Sequence, residues 1–213
     1  MENLDYTVLH DTGKTLCFIG NSYMNHQLYN YFKTKRDCEI LTYEDVLTKN
    51  QDWFDNHQFI SIIAEIKFRK LIVDSFAHKN PNYFSVYGTR NHIGFDVSIG
   101  KGVFICDFNT ILDNAVIGDH CVITTHSQIS HCVRIEDFCH IGPFSQFMFA
   151  TINQGCYISA RSSFIGKKTE MLVVVDNCNF IIGSTVTKKI TKSGTYFGNR
   201  FLNPQTSLDT KID

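Results

Sequence analysis

The sequence lacks several features that mark common functional classes. Its 213 residues carry 20 basic and 21 acidic side chains, so the formal net charge is only −1. No stretch gathers five or six like charges, which argues against a nucleic-acid-binding tail. No apolar run reaches the roughly 18 residues of a membrane span, and the first residues lack the basic-then-apolar order of a signal peptide. We therefore expect a cytoplasmic globular protein that binds neither nucleic acid nor membrane.

The cysteines lack the spacing of a zinc site. The sequence has 8 of them, but none forms a CxxC pair and no secretion signal accompanies them. Disulfides and zinc ribbons are therefore disfavoured. We expect most of these residues to be small buried thiols.

The strongest pattern in the sequence is an aliphatic residue at every sixth position. Four residues after most of these positions comes a small side chain. A period of six predicts a triangular solenoid, in which each side directs one large side chain inward and turns the corner at a small one. The large positions are Ile93, Ile99, Ile105, Ile111, Ile117, Ile123, Ile129, Ile135, Ile141 and Phe147, and the small ones are Val97, Val103, Ala115, Cys121, Ser127, Val133, Cys139, Ser145 and Thr151, with Asn109 as the exception.

The repeat becomes irregular after Phe147. The aliphatic positions then shift by about one residue, to Ile152 and Ile158, and an insertion interrupts them at 166–170. Regular coils are expected to resume around 175–187. The prediction for residues 89–213 is a left-handed parallel β-helix of hexapeptide repeats.

The residues before the repeat predict a small α/β unit. Apolar strands at 15–20, 39–43 and 59–64 alternate with helical segments, which favours a Rossmann-like parallel sheet. We assign this unit to residues 1–88, so the whole chain is mainly β with an α/β domain in front. The turn after the first strand, Gly20, Asn21 and Ser22, is where such sheets bind phosphates. A plain cap for one end of the solenoid is the alternative.

Three stretches carry a resemblance to a known family. SHCVRIEDFCHIGP (130–143) is similar to the pattern H-D/E-C-x-I-x-D-F-x-H-I-x-P, with His131 and His140 on its two histidines. IAEIKFRKLI (63–72) is similar to a strand-to-helix junction that carries an arginine. TVTKKITKSGTYFGNRF (185–201) is similar to an ending that carries Gly-Asn.

With the α/β leader, these stretches resemble the sialic acid O-acetyltransferase-like family. That family includes bacterial N-acetyltransferases of nucleotide-linked 4-amino-4,6-dideoxy sugars, and the resemblance covers nearly the whole chain. It departs at Cys132, where the family has a carboxylate, at Met24, where it has a histidine, and at Arg200, where it has proline. Since cysteine is a weak hydrogen-bond partner, we expect either that Glu136 or Asp137 orients the histidine instead or that this role is absent.

The resemblance implies a role for each candidate residue. His131 is expected to be the general base, since histidine has an ordinary pKa of about 6.5. Acetyl-CoA is the implied co-substrate, a nucleotide-linked (UDP or dTDP) amino sugar is the acceptor, and no metal is expected. The implied contacts to coenzyme A are His140, Lys188, Lys189, Gly198, Asn199 and Arg200, and those to the nucleotide sugar are Gly20, Asn21, Ser22, Lys67 and Arg69.

The resemblance also implies a homotrimer with active sites between subunits. His131 and His140 lie nine residues apart, which is half of a coil with three six-residue sides. They therefore fall on different sides of one coil. We expect them to meet only across a subunit interface.

Other functions fit parts of the same pattern. One is O-acetylation of a sugar, and another is a catalytically inactive solenoid that only binds sugar nucleotides. A third is a zinc enzyme of the γ-carbonic anhydrase type, because His126-x4-His131 has the spacing of two of its ligands. His92 lies out of step for a third ligand, and Arg90 occupies the matching position.

Overall fold

A computed structural model describes residues 5–203 of the chain. Its helices are α1 Tyr23–Phe32, α2 Tyr43–Leu47, α3 Gln51–Asn56 and α4 Ile66–Phe76, with a 3-10 turn at Ala77–Lys79. Its strands are β1 Tyr6–Leu9, β2 Thr15–Ile19, β3 Cys38–Leu41, β4 His57–Ile60, β5 Asn82–Tyr83, β6 Ser85–Gly88, β7 His92–Ile93, β8 Ser98–Ile99, β9 Phe104–Ile105, β10 Thr110–Ile111, β11 Val116–Ile117, β12 Val122–Ile123, β13 Gln128–Ile129, β14 Arg134–Ile135, β15 His140–Ile141, β16 Gln146–Met148, β17 Ala150–Ile152, β18 Tyr157–Ile158, β19 Ser163–Ile165, β20 Leu172–Val174, β21 Cys178–Phe180, β22 Thr185–Val186, β23 Gly194–Phe197 and β24 Arg200–Asn203.

The first part of the chain is an α/β unit around a small parallel sheet of strand order β3-β2-β4-β5. Leu28 and Phe32 of α1 pack on one face of this sheet with Phe18. Val46 of α2 and Ile72 of α4 belong to a second apolar cluster, on the opposite face. The three strands and two helices that the sequence predicts are present, while α2, α3, β1 and β5 were not predicted.

The second part is a triangular solenoid with three faces of stacked strands. Face A has the order β1-β6-β9-β12-β15-β18-β21-β23-β24, face B has β22-β19-β16-β13-β10-β7, and face C has β20-β17-β14-β11-β8. Successive strands move from face A to face B to face C, so the corners form three edges. Edge AB contains 89–91, 106–109, 124–127, 142–145, 159–162 and 181–184. Edge BC contains 94–97, 112–115, 130–133, 149, 166–171 and 187–189. Edge CA contains 100–103, 118–121, 136–139, 153–156 and 175–177.

The core of the solenoid confirms the hexapeptide pattern. Ile105, Ile123 and Ile141 pair in register on face A and are fully buried. The small residues at the corners, such as Ala115 and Cys121, are also fully buried. Each coil therefore adds its large and small inward side chains to one continuous cluster.

The register shift after Phe147 has a simple geometric cause. The corner that follows has one residue fewer, so Ala150 and not Thr151 points inward. The prediction for Thr151 is therefore wrong, whereas the predicted shift to Ile152 and Ile158 is confirmed. Residues 166–171 form the insertion, closed by an antiparallel bridge between Lys167 and Glu170.

The α/β unit lies against face A. Phe104 and Val122 project from that face into the cluster that contains α1. In addition, β1 pairs antiparallel with β6, which pairs with β9, so both strands extend face A although the predicted boundary places them in the first domain. Only the lower coils of face A are covered in this way.

All eight cysteines are free. Five of them are fully or almost fully buried, which confirms the expectation for most of the thiols: Cys17, Cys121, Cys139, Cys156 and Cys178. Among residues 5–203 no helix has the length and apolarity needed to cross a bilayer.

Candidate functional site

His131 lies on edge BC, in the corner between β13 and β14, and is exposed. Its ring meets that of Phe149, one coil above, edge to face at a centroid distance of 6.0 Å. The imidazole makes no hydrogen bond to any residue in the described range 5–203. Both ring nitrogens are therefore free to exchange a proton with a ligand.

Cys132 follows His131 at the left-handed position of the corner, with φ of +62°. Asp96 and Asn114 occupy the equivalent positions in the two coils below. Glu136 and Asp137 lie at the next corner, on edge CA, where Glu136 pairs with Arg134 at 3.3 Å and Asp137 accepts the backbone N–H of Asp119 at 2.8 Å. The expectation that one of these carboxylates orients His131 within the chain is therefore wrong.

A group of lysines lies on edge BC above His131. Lys188 and Lys189 stand in its uppermost corner, and Lys167 and Lys168 in the insertion one coil below; all four are exposed. At about 4.8 Å per coil, the uppermost corner is about 14 Å above His131. The sequence analysis missed Lys167 and Lys168, although counting coils across the insertion would have assigned them to this edge.

The Gly198-Asn199 turn holds the corner that carries Lys188. Gly198 has φ of +58°, and a Cβ there would lie 2.8 Å from the carbonyl oxygen of Thr185. The Asn199 side-chain oxygen accepts the backbone N–H groups of Thr187 and Lys188, at 3.0 and 3.1 Å. Arg200 follows in β24 and is exposed. The structure therefore brings these four predicted residues together with Lys189 at one end of edge BC.

His140 lies on face A, away from His131. Its ring stacks on Tyr157 at a centroid distance of 4.7 Å, and its Nδ1 is buried without a hydrogen-bond partner in the described part of the chain. Burial, with a smaller contribution from the positive charge of Arg69, lowers the pKa of His140 to about 3. The ring is therefore neutral near pH 7. His131 and His140 therefore lie on different sides of one coil, as their nine-residue spacing predicts.

Arg69 joins the α/β unit to the solenoid. Its side chain is fully buried, and burial lowers its pKa to about 10. The guanidinium donates to the carbonyl oxygens of His120 at 2.9 Å and Phe138 at 2.8 Å, and also to that of Ile63. Its donors are thus directed at backbone carbonyls. Lys67, on the same helix, is exposed and makes no such contact.

The turn Gly20–Ser22 and residues 61–65 meet at the carboxyl edge of the small sheet. They follow β2 and β4, which are neighbours, whereas β3 lies on the other side of β2. The chain therefore reverses its winding direction here, which in open α/β sheets is where ligands bind.

Hydrogen bonds fix the shape of this crevice. Ser22 caps α1 by accepting the N–H of Asn25 at 3.1 Å and donates its hydroxyl to the carbonyl of Ile62 at 2.6 Å. The fully buried Asn25 side chain donates to the carbonyls of Ile19 and Gly20 and accepts the N–H of Ile62. The first-turn N–H groups of α1 thus lie in a turn held rigid from both loops. Sequence reasoning missed Asn25, which only the fold connects to Ile62.

The candidate residues therefore form two half-sites. One lies on edge BC and contains His131 and the lysine corner, and the other lies on the side of face A and contains the Gly20–Ser22 crevice and His140. His126 is on edge AB, one full side of the triangle away from His131. Within the described range 5–203, no three His, Cys, Asp or Glu side chains are grouped to hold a metal ion.

Comparison with known proteins gives one family-model match and several solved structures with the same fold. The family model "Bacterial transferase hexapeptide (six repeats)" matches residues 96–131. No curated protein matches the sequence. Among solved structures, WeeI from Acinetobacter baumannii AYE has a TM-score of 0.75 at 21% identity, covering 89% of this chain and 100% of its own.

Two further structures have the same fold. The acetyltransferase domain of PglB from Neisseria gonorrhoeae FA1090 has a TM-score of 0.75 at 14% identity, over 89% of this chain and 98% of that one. A histidine-to-alanine variant of GDP-perosamine N-acetyl transferase from Caulobacter crescentus, in complex with CoA and GDP-perosamine, has a TM-score of 0.71 at 14% identity, over 94% and 98%. The predicted left-handed β-helix is confirmed, while the Rossmann-like character of the α/β unit stays a prediction.

Proposed function

We propose that this chain, which shares the fold of those three structures, two of which are named as acetyltransferases, transfers an acetyl group from acetyl-CoA to the 4-amino group of a nucleotide-linked 4-amino-4,6-dideoxy sugar in the cytoplasm. The observation that carries the proposal is the free imidazole of His131 below four lysines on one edge. A base at one end and cations at the other suit a long donor that has a thioester at one end and phosphates at the other.

His131 is the general base of the proposed reaction. Its imidazole accepts the proton that the amine loses as the amine nitrogen bonds to the acetyl carbon, and returns a proton to the departing thiolate sulfur. The charge that develops on the carbonyl oxygen needs a hydrogen-bond donor, and a backbone N–H of a neighbouring coil serves this role. No residue has to form a covalent bond to the acetyl group.

The lysine corner binds the phosphates of the donor. Lys188 and Lys189 are exposed point charges, which suit phosphate recognition. Lys189 lies only 3.8 Å from Glu170, so part of its charge is balanced inside the chain. Asn199 acts indirectly, because it fixes the backbone of the turn from which Lys188 projects.

The Gly20–Ser22 crevice binds the nucleotide diphosphate. The positive end of the α1 dipole and the rigid turn favour a pyrophosphate there. We propose UDP or dTDP as the nucleotide. The GDP-perosamine bound by one similar structure adds GDP sugars to the acceptors that have to be tested.

We further propose a homotrimer with its active sites between subunits. His131 and the crevice lie on different sides of the same solenoid, so one chain cannot bring them to one acceptor. His140, with its unpartnered Nδ1 on the side of the crevice, is then placed to meet the donor bound by another subunit.

The proposal is tested by thiol release from acetyl-CoA with a panel of UDP-, dTDP- and GDP-linked 4-amino sugars. Mass spectrometry should find one added acetyl group that survives hydroxylamine, which cleaves an O-acetyl ester but not an amide. The matched 4-hydroxy sugars should release no thiol. Absence of thiol release with every amino sugar contradicts the proposal, and a hydroxylamine-labile product replaces it with O-acetylation.

A further inference from the structure

An exposed ladder of aromatic rings runs along edge AB. Phe108, His126 and Phe144 come from three successive coils and stack with centroid distances of 5.0 Å, at interplanar angles of 28° and 23°. Below them, the guanidinium of Arg90 lies 4.4 Å from the centre of the Phe108 ring. Phe108 is 46% exposed and Phe144 is 54% exposed. We call these three rings the aromatic ladder.

The backbone conformation of the ladder residues is energetically unfavourable for an isolated chain. Its three residues have left-handed backbone, with φ of +65°, +60° and +59°. A residue with a Cβ pays about 1–2 kcal/mol there, and bulky side chains are rare in this region. The same corner position on edge CA carries two further rings with left-handed backbone, His120 and Phe138, which stack at 4.9 Å. Those rings are covered by Tyr83 and Lys70 of the α/β unit, whereas the rings on edge AB are exposed. Strain of this kind at an exposed site favours a function for the rings.

We infer that the ladder of one subunit contacts edge BC of a second copy of this chain and forms a wall of the His131 site of that copy. That this contact lines an active site rests on the proposed function, whereas the contact between the two copies does not. The contact joins two different edges, so it is heterologous and closes into a ring when repeated around an axis along face B.

Face B is suited to face such an axis. The side chains that alternate with its inward isoleucines include no lysine, arginine, aspartate or glutamate, so copies can approach without repulsion between like charges. Face A is partly covered by the α/β unit, and face C carries Arg134. The outward residues of face B are His92, Thr110, Gln128, Gln146, Met148, Ser163, Ile165 and Thr185.

The two edges of face B also match coil by coil. Each coil has one corner on edge AB and the next on edge BC, at nearly the same height. In a ring around face B, Arg90 of one copy therefore faces Asp96 of the next, while its guanidinium also pairs with Asp107 of its own chain at 2.8 Å. Two coils higher, the ladder ring His126 faces His131. One coil above that, Phe144 faces Phe149, which already contacts His131 edge to face.

A disulfide test probes this contact directly. Cys132 is a native exposed thiol on edge BC, and His126→Cys adds a thiol at the matching corner on edge AB. Within one chain the two positions are separated by six residues of nearly extended backbone, about 20 Å, whereas a disulfide requires Cα atoms about 4–7 Å apart. A disulfide between positions 126 and 132 can therefore form only between two copies of the chain.

The expected result is covalent dimers and trimers, and no larger species, when the His126→Cys variant is oxidised. They should be absent in the wild type and in the control variant Gln154→Cys, which places the new thiol on edge CA, where residue 154 is exposed. If His126→Cys forms no more interchain bonds than Gln154→Cys does, the inference is overturned.

A second test removes the rings without disturbing the backbone. Asparagine tolerates left-handed φ, so Phe108→Asn and Phe144→Asn should leave the far-ultraviolet circular dichroism unchanged. In the double variant, the protein concentration below which the assembly dissociates should rise about tenfold or more above that of the wild type. Its kcat/KM should fall about tenfold or more. The control Leu47→Gln, at a 53% exposed position on α2, should do neither.

The outcomes separate this inference from the proposed function. An interchain disulfide without any acetyl transfer supports the contact and contradicts the function. Acetyl transfer by a wild-type protein that sedimentation velocity shows to be monomeric supports the function and overturns the contact.

Discussion

Replacing Arg69 by methionine should release the α/β unit from the solenoid. Arg69 is the fully buried cation that ties α4 to the carbonyls of His120, Phe138 and Cys139, in two successive corners of edge CA. Methionine has a similar length and fills the same space without any hydrogen bond. The carbonyls of the solenoid then remain in the interface without their donor.

The size of the effect follows from two opposing contributions. Hydrogen bonds from a charged donor contribute about 1.5–3 kcal/mol each, so the three partners at His120, Phe138 and Ile63 together give about 6 kcal/mol. Against this, burial lowers the pKa of Arg69 from 12.5 to about 10, which corresponds to about 3 kcal/mol of unfavourable desolvation that methionine avoids. The net expectation is a loss of about 3 kcal/mol.

Urea unfolding followed by circular dichroism measures this loss. The matched control is Lys67→Met on the exposed side of the same helix, which should change the free energy of unfolding by less than about 0.5 kcal/mol. A second, earlier transition assigned to the α/β unit is expected in Arg69→Met alone. If Arg69→Met is as stable as the control variant, the guanidinium does not hold the two parts together.

The remaining predictions concern pH, the lysine corner and the residue after the base. Burial lowers the pKa of His120 to about 4 and that of His140 to about 3. Both histidines protonate near pH 6.5 in the unfolded chain, so the free energy of unfolding should fall as the pH falls from about 6.5 to 4. His120 alone should contribute about 3 kcal/mol of this loss. Urea titrations at several pH values measure this slope, and His140→Gln should flatten it. Asn199→Ala should raise the KM for acetyl-CoA severalfold with little change in kcat, because the turn that carries Lys188 loosens; an unchanged KM contradicts a role for this turn. Cys132→Asp places a carboxylate beside the base in a residue that tolerates left-handed backbone and should raise kcat above that of the uncharged control Cys132→Asn.

The solenoid could be predicted because its pattern is local and repeated. An isoleucine at every sixth position leaves few other ways to bury one face, and the structure places Ile105 to Ile141 as expected. The exception at Ala150 arises from a single missing corner residue, which periodicity alone locates only to within one position. The short helices α2 and α3 escaped prediction because five or six residues carry too little periodicity to be recognised.

The site was harder to predict than the fold because its contacts are long-range. Local motifs were enough to propose His131 and the Gly198-Asn199 turn as candidate site residues. By contrast, nothing near Arg69 in the sequence indicates that its partners are carbonyls at Phe138 and Cys139, about seventy residues away. The aromatic ladder escaped for the same reason, since its rings are eighteen residues apart and become neighbours only when the coils stack.

The role of His131 is tested most directly by the steady-state kinetics of His131→Ala with the best acceptor of the panel. We predict that kcat/KM falls by about 10²–10⁴-fold, while calorimetric binding of coenzyme A stays within about twofold of the wild type, because the lysine corner proposed to bind the phosphates is untouched. The control His78→Ala, an exposed histidine of the α/β unit, should retain full activity. Undiminished kcat/KM in His131→Ala would contradict the account.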